Sequence, residues 1–168
     1  LASGQVRRLL VLCPASLVDQ WQLRLREMFD IRLSKYIAAA DTATADFWDT
    51  HHQVVASFHT LRLDVPERQE RMLNCEPWDM LIVDEAHHMN ADEDQGFTLG
   101  YQLIRRLEQQ GQVNSMLFFT GTPHRGKNFG FLALLHLLRP DLFDPRKSLD
   151  EQLVSLRQVM VRNNKYSV

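Results

Sequence analysis

The chain has 168 residues, 45% of them apolar and 24% charged, with 19 basic residues against 21 acidic ones. That length and mix suit one globular domain with a real core and exclude a disordered or fibrous chain. A net charge of -2 excludes a global positive field, so any nucleic-acid contact must come from a local patch.

In chain order, Arg8 to Cys13 is a short run, apolar on both faces and stopped by Pro14, which predicts a buried strand. Ser16 can cap the following helix, with Leu17, Trp21, Leu25, Met28 and Phe29 at helical spacing as its inward stripe. Leu33 to Ala38 predicts a second, weaker strand, and residues 40–50, rich in Ala, Thr and Asp, give no assignment. Gln53 to Ser57 predicts a third strand, and Pro66 opens a short helix through Leu73. Met80 to Asp84 predicts a fourth strand, followed by a polar loop over residues 91–96. Two stripes, Phe97-Tyr101-Ile104 and Leu99-Leu103-Leu107, predict one helix ending near Gly111. Ser115 to Thr120 predicts a fifth strand, Phe129 to Leu138 a helix ended before Pro140, and Leu149, Leu153, Leu156 and Met160 a last amphipathic helix. Alternating strands and helices imply an α/β fold with a mostly parallel sheet flanked by helices. Cys13 and Cys75 are expected as small core residues rather than a disulfide, which fits a cytoplasmic setting. No apolar stretch approaches the ~20 residues of a membrane span, and no signal peptide is visible.

The chemistry concentrates at Val83-Asp84-Glu85-Ala86-His87-His88. In an open parallel sheet, ligands lie beyond the carboxyl ends of strands, which is where Asp84 is expected. Adjacent acids repel unless a cation offsets them, and Mg2+ takes carboxylate and water oxygens beside nucleotide phosphates. One acid can then hold the ion's water shell and the other can deprotonate an attacking water. The simpler role for Asp84-Glu85 is to cap the turn after the strand. A zinc site is not expected, because His-Glu-x-x-His is absent. His51-His52 has no partner pattern and reads as surface.

Val83-Asp84-Glu85-Ala86-His87 resembles the Asp-Glu-Ala-His (DEAH) box of superfamily 2 helicases and translocases. Leu10 to Trp21, with Cys13-Pro14 and Ser16-Leu17, resembles motif Ia of their Swi/Snf-related branch. Val54 to Arg62 resembles motif Ib, and Phe119-Thr120-Gly121-Thr122-Pro123-His124-Arg125-Gly126 resembles motif III. Phe131 to Leu135 and Leu138 to Phe143 continue the bacterial Swi/Snf-like pattern, and Met160 to Lys165 is similar to the segment leaving the first lobe. Four ordered motifs span nearly the whole chain.

The resemblance implies a RecA-like lobe of the P-loop NTPase type. Residues 1–145 would be a partial N-terminal ATPase lobe, and 146–168 a helix leading toward a second RecA-like lobe. It implies ATP and Mg2+ as cofactors and the double-stranded DNA backbone as partner. Asp84 would hold Mg2+ through water, Glu85 would activate the attacking water, and His87 would link that site to Thr120, Gly121 and Thr122. Pro14, Ser16, Leu17, Ser57 and Phe58 would lie along the DNA. His124 and Arg125 follow motif III and face either the nucleotide or an exposed loop.

Gly121 to Asn128 nearly spells a phosphate-binding loop, but Asn128 replaces the Mg2+-ligating hydroxyl and Pro123 removes an N–H. In the family the true phosphate loop lies upstream of motif Ia, and Leu1-Ala2-Ser3-Gly4 resembles the tail of its helix. The expectation is therefore a fragment that is inactive alone. Its Ser115–Thr120 strand would form an apolar edge open to pairing with a second chain. The function implied is that of a Swi/Snf-like double-stranded DNA translocase motor. A strand-separating DNA or RNA helicase and a non-catalytic nucleic-acid-binding module stay open as alternatives.

Overall fold

The computed structural model describes residues 6–62, 66–89, 91–92, 96–121 and 128–161. Strand β1 is Leu9–Cys13, entirely buried. Pro14 then turns the chain into a 3-10 turn, Ala15–Leu17, and helix α1 runs Val18–Phe29. Strand β2 is Ser34–Lys35, and helix α2 is a single turn, Phe47–Thr50. Strand β3, Gln53–Ser57, leads directly into α3, Phe58–Arg62, and α4 covers Pro66–Asn74. Strand β4 is Met80–Val83, and β5, Ala91–Asp92, pairs antiparallel with β6, Gly96–Phe97. Helix α5 is Leu99–Gln109, β7 is Met116–Phe118, α6 is Asn128–Leu138 and α7 is Leu149–Val159. Among the described residues, no helix is long and apolar enough to cross a membrane.

The main sheet has the order β2-β3-β1-β4-β7, and every pairing in it is parallel. The central strands are buried on both faces, so neighbouring residues feed different cores. Leu10, Leu12, Val54 and Leu81 point into the larger core with Trp48, Trp78, Tyr101 and Ile104. Leu9, Val11, Val55 and Ile82 point into a smaller one under α1, with Val18, Ile31 and Leu33. A third cluster joins α6 and α7 through Phe131, Leu135 and Phe143, with Leu149 and Leu156 against it.

Several expectations need correction. Ser16 does not cap α1, because Pro14 starts a 3-10 turn, Leu17 occupies the N-cap position and no side chain bonds there. The α1 stripe is buried only in part: Met28 is 67% and Phe29 62% exposed. Both line a cavity shared with Ile82 and Phe119. The expected second strand shrinks to two residues, as Ala38–Ala40 turns into a 3-10 helix. Within the unassigned 40–50 stretch, Asp46 accepts from the Trp48 and Asp49 N–H groups and caps α2, delivering Phe47 and Trp48 into the core. Phe97 belongs to β6 rather than to the helix, which Thr98 caps. Leu153, placed on the inward stripe of α7, is 46% exposed.

The sheet's amino end is closed by charge. Arg8 is 1% exposed, with its guanidinium 4.3 Å from the Trp78 ring centroid. Its Nη2 donates to the Trp48 carbonyl at 2.8 Å, and its Nη1 is 2.9 Å from His52 Nδ1. Asp79 Oδ2 accepts from the Arg7 and Arg8 amides at 2.7 and 2.8 Å. Asp41 is likewise buried, receiving Arg71 Nε at 3.0 Å, while Arg68 and Arg71 both donate to its carbonyl. That clamp ties the 38–46 segment to α4, and removing one partner would strand a buried charge, typically at a cost of about 3–5 kcal/mol.

Both cysteines are free and buried. Burial pushes the Cys13 thiol up to about 12, helped by nearby Asp84, and the Cys75 thiol up to about 11. The reactive species is the thiolate, so neither cysteine should be alkylated by iodoacetamide at about pH 8 in the folded chain. Both should react once it is unfolded in urea, and mass spectrometry of the native protein would reveal an early adduct. Burial, then Arg8, Arg7 and His51, hold the His52 imidazole below its ordinary 6.5. The folded state therefore binds fewer protons there than the unfolded one. This contribution to stability is complete above 6.5 and is lost as pH falls through the lowered value. His52→Asn, which keeps an acceptor but does not titrate, should flatten the fall in urea midpoint on acidifying from about pH 8.

Candidate functional site at the carboxyl edge of the sheet

Beyond β4 the sheet's hydrogen bonding continues for three more contacts. The Asp84 amide donates to the Leu12 carbonyl at 2.8 Å, the Ala86 amide to Phe119 at 2.9 Å, and the Phe119 amide to Val83 at 2.8 Å. The acidic turn is thus pinned between β1 and the chain leaving β7. Asp84 lies one residue past β4 and Thr120 two past β7, so both stand at the same rim.

Glu85 adopts φ 52 and ψ 45, the left-handed region, before the 3-10 turn Ala86–His88. A non-glycine residue there costs about 1–2 kcal/mol. The conformation turns the chain back so that His87 faces the motif III side. His87 Nδ1 lies 3.0 Å from Thr120 Oγ1 and 3.1 Å from Glu85 Oε2. The Thr120 contact has hydrogen-bond geometry, whereas the Glu85 contact is one of distance only: Glu85 Oε2 is buried with no hydrogen-bond partner among the described residues. The Glu85 side chain is 37% exposed and that of His87 10%. The His88 ring lies tilted at 36° against that of His87, with centroids 4.3 Å apart, and is itself exposed.

Asp84 is engaged at both oxygens: Oδ1 accepts from the Glu85 amide and Oδ2 from Trp21 Nε1, each at 2.9 Å. Trp21, expected in the core, is only partly buried and stands on the rim beside Phe119, 6.1 Å away between ring centroids. The sequence held one signal for this, an indole N–H at a half-buried position that needs an acceptor. Trp21, Leu25, Met28, Ile82, Phe119 and Asp84 line a largely apolar cavity of ≈ 370 Å³.

The expected DNA-side residues divide. Cys13 is in register with Ser57, so Pro14–Leu17 and Ser57–Phe58 leave the sheet from neighbouring strands. Ser16 is exposed and Pro14 partly so, whereas Leu17 packs against the smaller core. Ser57 is 6% exposed; its hydroxyl accepts from the Thr60 amide at 3.0 Å and lies 2.8 Å from Thr60 Oγ1, capping α3. Phe58 packs on the larger core. Gly121 is exposed, with nothing within 4 Å of where a Cβ would stand, while Thr122, His124 and Arg125, with the rest of 122–127, lie outside the described residues.

Mg2+ commonly uses one or two carboxylates plus substrate phosphates rather than a full protein cage. Asp84 fits such an ion: it is partly exposed, and each oxygen keeps a lone pair beyond its one donor. Among the described residues, no three His, Cys, Asp or Glu side chains converge as a metal cage.

The sequence profile of the SNF2-related domain matches residues 2–165. The RNA polymerase-associated protein RapA of Actinobacillus pleuropneumoniae serotype 3 (strain JL03) is 36% identical over 154 residues, covering 85% of this chain and 15% of that protein. RapA of Erwinia tasmaniensis is 31% identical over 157 residues, covering 90% and 16%. The chain therefore spans about one-sixth of the curated relatives' length. The Sulfolobus solfataricus SWI2/SNF2 ATPase core in complex with dsDNA superposes with a TM-score of 0.74 at 17% identity, covering 99% of this chain and 36% of that one. A second structure of that core domain gives 0.70 at 18% identity, covering 99% and 35%. At such identities the two structures speak for the fold alone, an α/β lobe with a mostly parallel sheet flanked by helices.

Thr120→Val keeps the shape of residue 120 but removes the hydroxyl beside His87. It should shift the His87 Nδ1 resonance in long-range 1H–15N spectra and leave His136 unmoved. An unchanged His87 signal would show that this contact between the two segments does not form.

Proposed function

The chain belongs to the SNF2-related domain family, and on that premise we propose that it is part of the ATPase motor of a translocase on double-stranded DNA. The observation that carries this reading is the rim itself: Asp84 and Glu85 at the end of β4, joined to Thr120 beyond β7 through His87. In this reading residues 1–145 form part of the first lobe, and 146–168, with α7 against α6, lead toward the second. A cytoplasmic setting, consistent with two free buried cysteines, belongs to the same proposal.

Asp84 would hold Mg2+ through the ion's water shell, with its carboxylate plane fixed by the Glu85 amide and the Trp21 indole. Bound there, the ion would neutralise charge on the nucleotide phosphates. Glu85 would accept a proton from the water that attacks the terminal phosphorus. His87 Nδ1, between Glu85 and Thr120, would tie the position of that carboxylate to the segment holding Thr120, Gly121 and Thr122. The backbone of duplex DNA would run past Pro14 and Ser16, where exposed polar atoms and the start of a helical turn can meet phosphates. Leu17, Ser57 and Phe58 would shape that surface from beneath, because their side chains are committed to packing or capping. Contacts of this kind read the backbone and give little sequence preference. No finding supports pairing of the β7 edge with a second copy, and it is not part of the proposal.

In the complete polypeptide that carries this lobe, Glu85→Gln should lower DNA-stimulated phosphate release by about 100-fold or more, the usual scale for losing a general base. Nucleotide affinity, followed with a fluorescent ATP analogue, should stay within a few-fold. Unchanged turnover would favour a non-catalytic nucleic-acid-binding module. Efficient separation of the strands of a duplex would favour a strand-separating helicase.

A further inference from the structure

We propose that Trp21 is a positioning residue for Asp84, acting through its indole N–H. The proposal rests on the reading of Asp84 as the carboxylate that holds a magnesium ion's water shell. Three tryptophans are present, and they use their N–H groups differently. Trp48 and Trp78 are completely buried, and neither indole nitrogen has a hydrogen-bond partner among the described residues. Trp21 is only partly buried, yet its nitrogen donates to Asp84 Oδ2 at 2.9 Å across 63 residues of sequence. Packing against Phe119 and Leu25 would place an aromatic ring there, but it would not require the nitrogen to face the acid.

The consequence is geometric. A carboxylate at the end of a strand can rotate about its terminal bond. Here the Glu85 amide fixes Oδ1 and the Trp21 indole fixes Oδ2, so the plane of the group is set from two sides. Each oxygen retains a second lone pair for a metal-bound water. Partners that orient a metal-holding carboxylate typically change metal affinity by about 10–100-fold when removed. Trp21 does not touch the nucleotide or the attacking water in this scheme; it acts through Asp84.

The test uses the complete polypeptide with Mn2+ and ADP, free Mn2+ being followed by electron paramagnetic resonance. Trp21→Phe keeps the ring and removes the donor. Trp21→Gln removes the ring, but its amide nitrogen has nearly the reach of the indole nitrogen. Trp21→Phe should weaken Mn2+ binding by about 10-fold, and Trp21→Gln should recover most of it. The Mg2+ midpoint for phosphate release should rise in Trp21→Phe, with kcat at saturating Mg2+ little changed. Wild-type Mn2+ affinity in Trp21→Phe would overturn the proposal, as would equal losses in the Phe and Gln variants, since the ring and not the donor would then matter. Asp84→Asn separates the two levels of argument. If it leaves Mn2+ affinity unchanged, the magnesium reading of Asp84 itself fails. If it weakens binding while Trp21→Phe does not, only the role of Trp21 fails. Asp84→Asn also probes the contact with Trp21 in place: the Trp21 indole N–H signal, assigned by its loss in Trp21→Phe, should move, and a spectrum without such a change would rule the bond out.

Discussion

The backbone hydrogen bonds that run past the strand ends govern this structure. Leu12 accepts from Asp84, Val83 from Phe119, and Phe119 from Ala86, so the acidic turn is held by main-chain atoms of two neighbouring strands. Side chains can rotate, but a turn held at its amides and carbonyls cannot drift without breaking the sheet. The carboxylates therefore inherit the rigidity of the buried parallel strands beneath them. Every further feature of the rim, including the His87–Thr120 contact and the Trp21–Asp84 contact, presupposes that registration.

The two ends of the sheet solve opposite problems. At the amino end, Arg8 is enclosed by the Trp78 ring, the Trp48 carbonyl and His52, and Asp79 accepts two adjacent amides. Those charges are matched inwardly and closed off. At the carboxyl end, Asp84 and Glu85 are adjacent, partly exposed and balanced by no cation among the described residues beyond what His87 supplies if protonated. The amino end thus surrounds its buried guanidinium with a ring face, a carbonyl and an imidazole, while the like charges at the other end have no such enclosure. Two adjacent carboxylates repel unless a cation offsets them, which is the physical basis for the magnesium reading proposed above.

Much of the architecture was legible in the sequence, because two-sided apolar runs bounded by Pro or acids have few other solutions. The runs at Leu9–Cys13, Gln53–Ser57 and Met80–Val83 became the three central strands. The edges were read poorly. Among the described residues, Ser34–Lys35 and Met116–Phe118 have a neighbour on one side only, so their lengths depend on local turns that periodicity does not encode. The α1 stripe misled for a related reason: helical spacing reports an apolar face but not whether anything described covers it, and Met28 and Phe29 remain exposed. Asp46 as a cap for α2 was available from residue type but was hidden in a stretch of Ala and Thr. At the rim, the motif resemblance pointed to Asp84, Glu85, His87 and Thr120, and they lie together. Trp21 escaped, because its place on an apolar stripe hid the direction in which its nitrogen would point.

Glu85 carries a last implication, for anyone stabilising this lobe. Its φ of 52 is a conformation that glycine adopts freely and glutamate does not. A scheme that relieves backbone strain would nominate Gly at this position and gain back roughly the 1–2 kcal/mol that the left-handed backbone costs. The same exchange would erase one of the two rim acids and the carboxylate beside His87. Thermal robustness and the rim's chemistry thus compete for a single residue, and the natural sequence has settled on the strained choice.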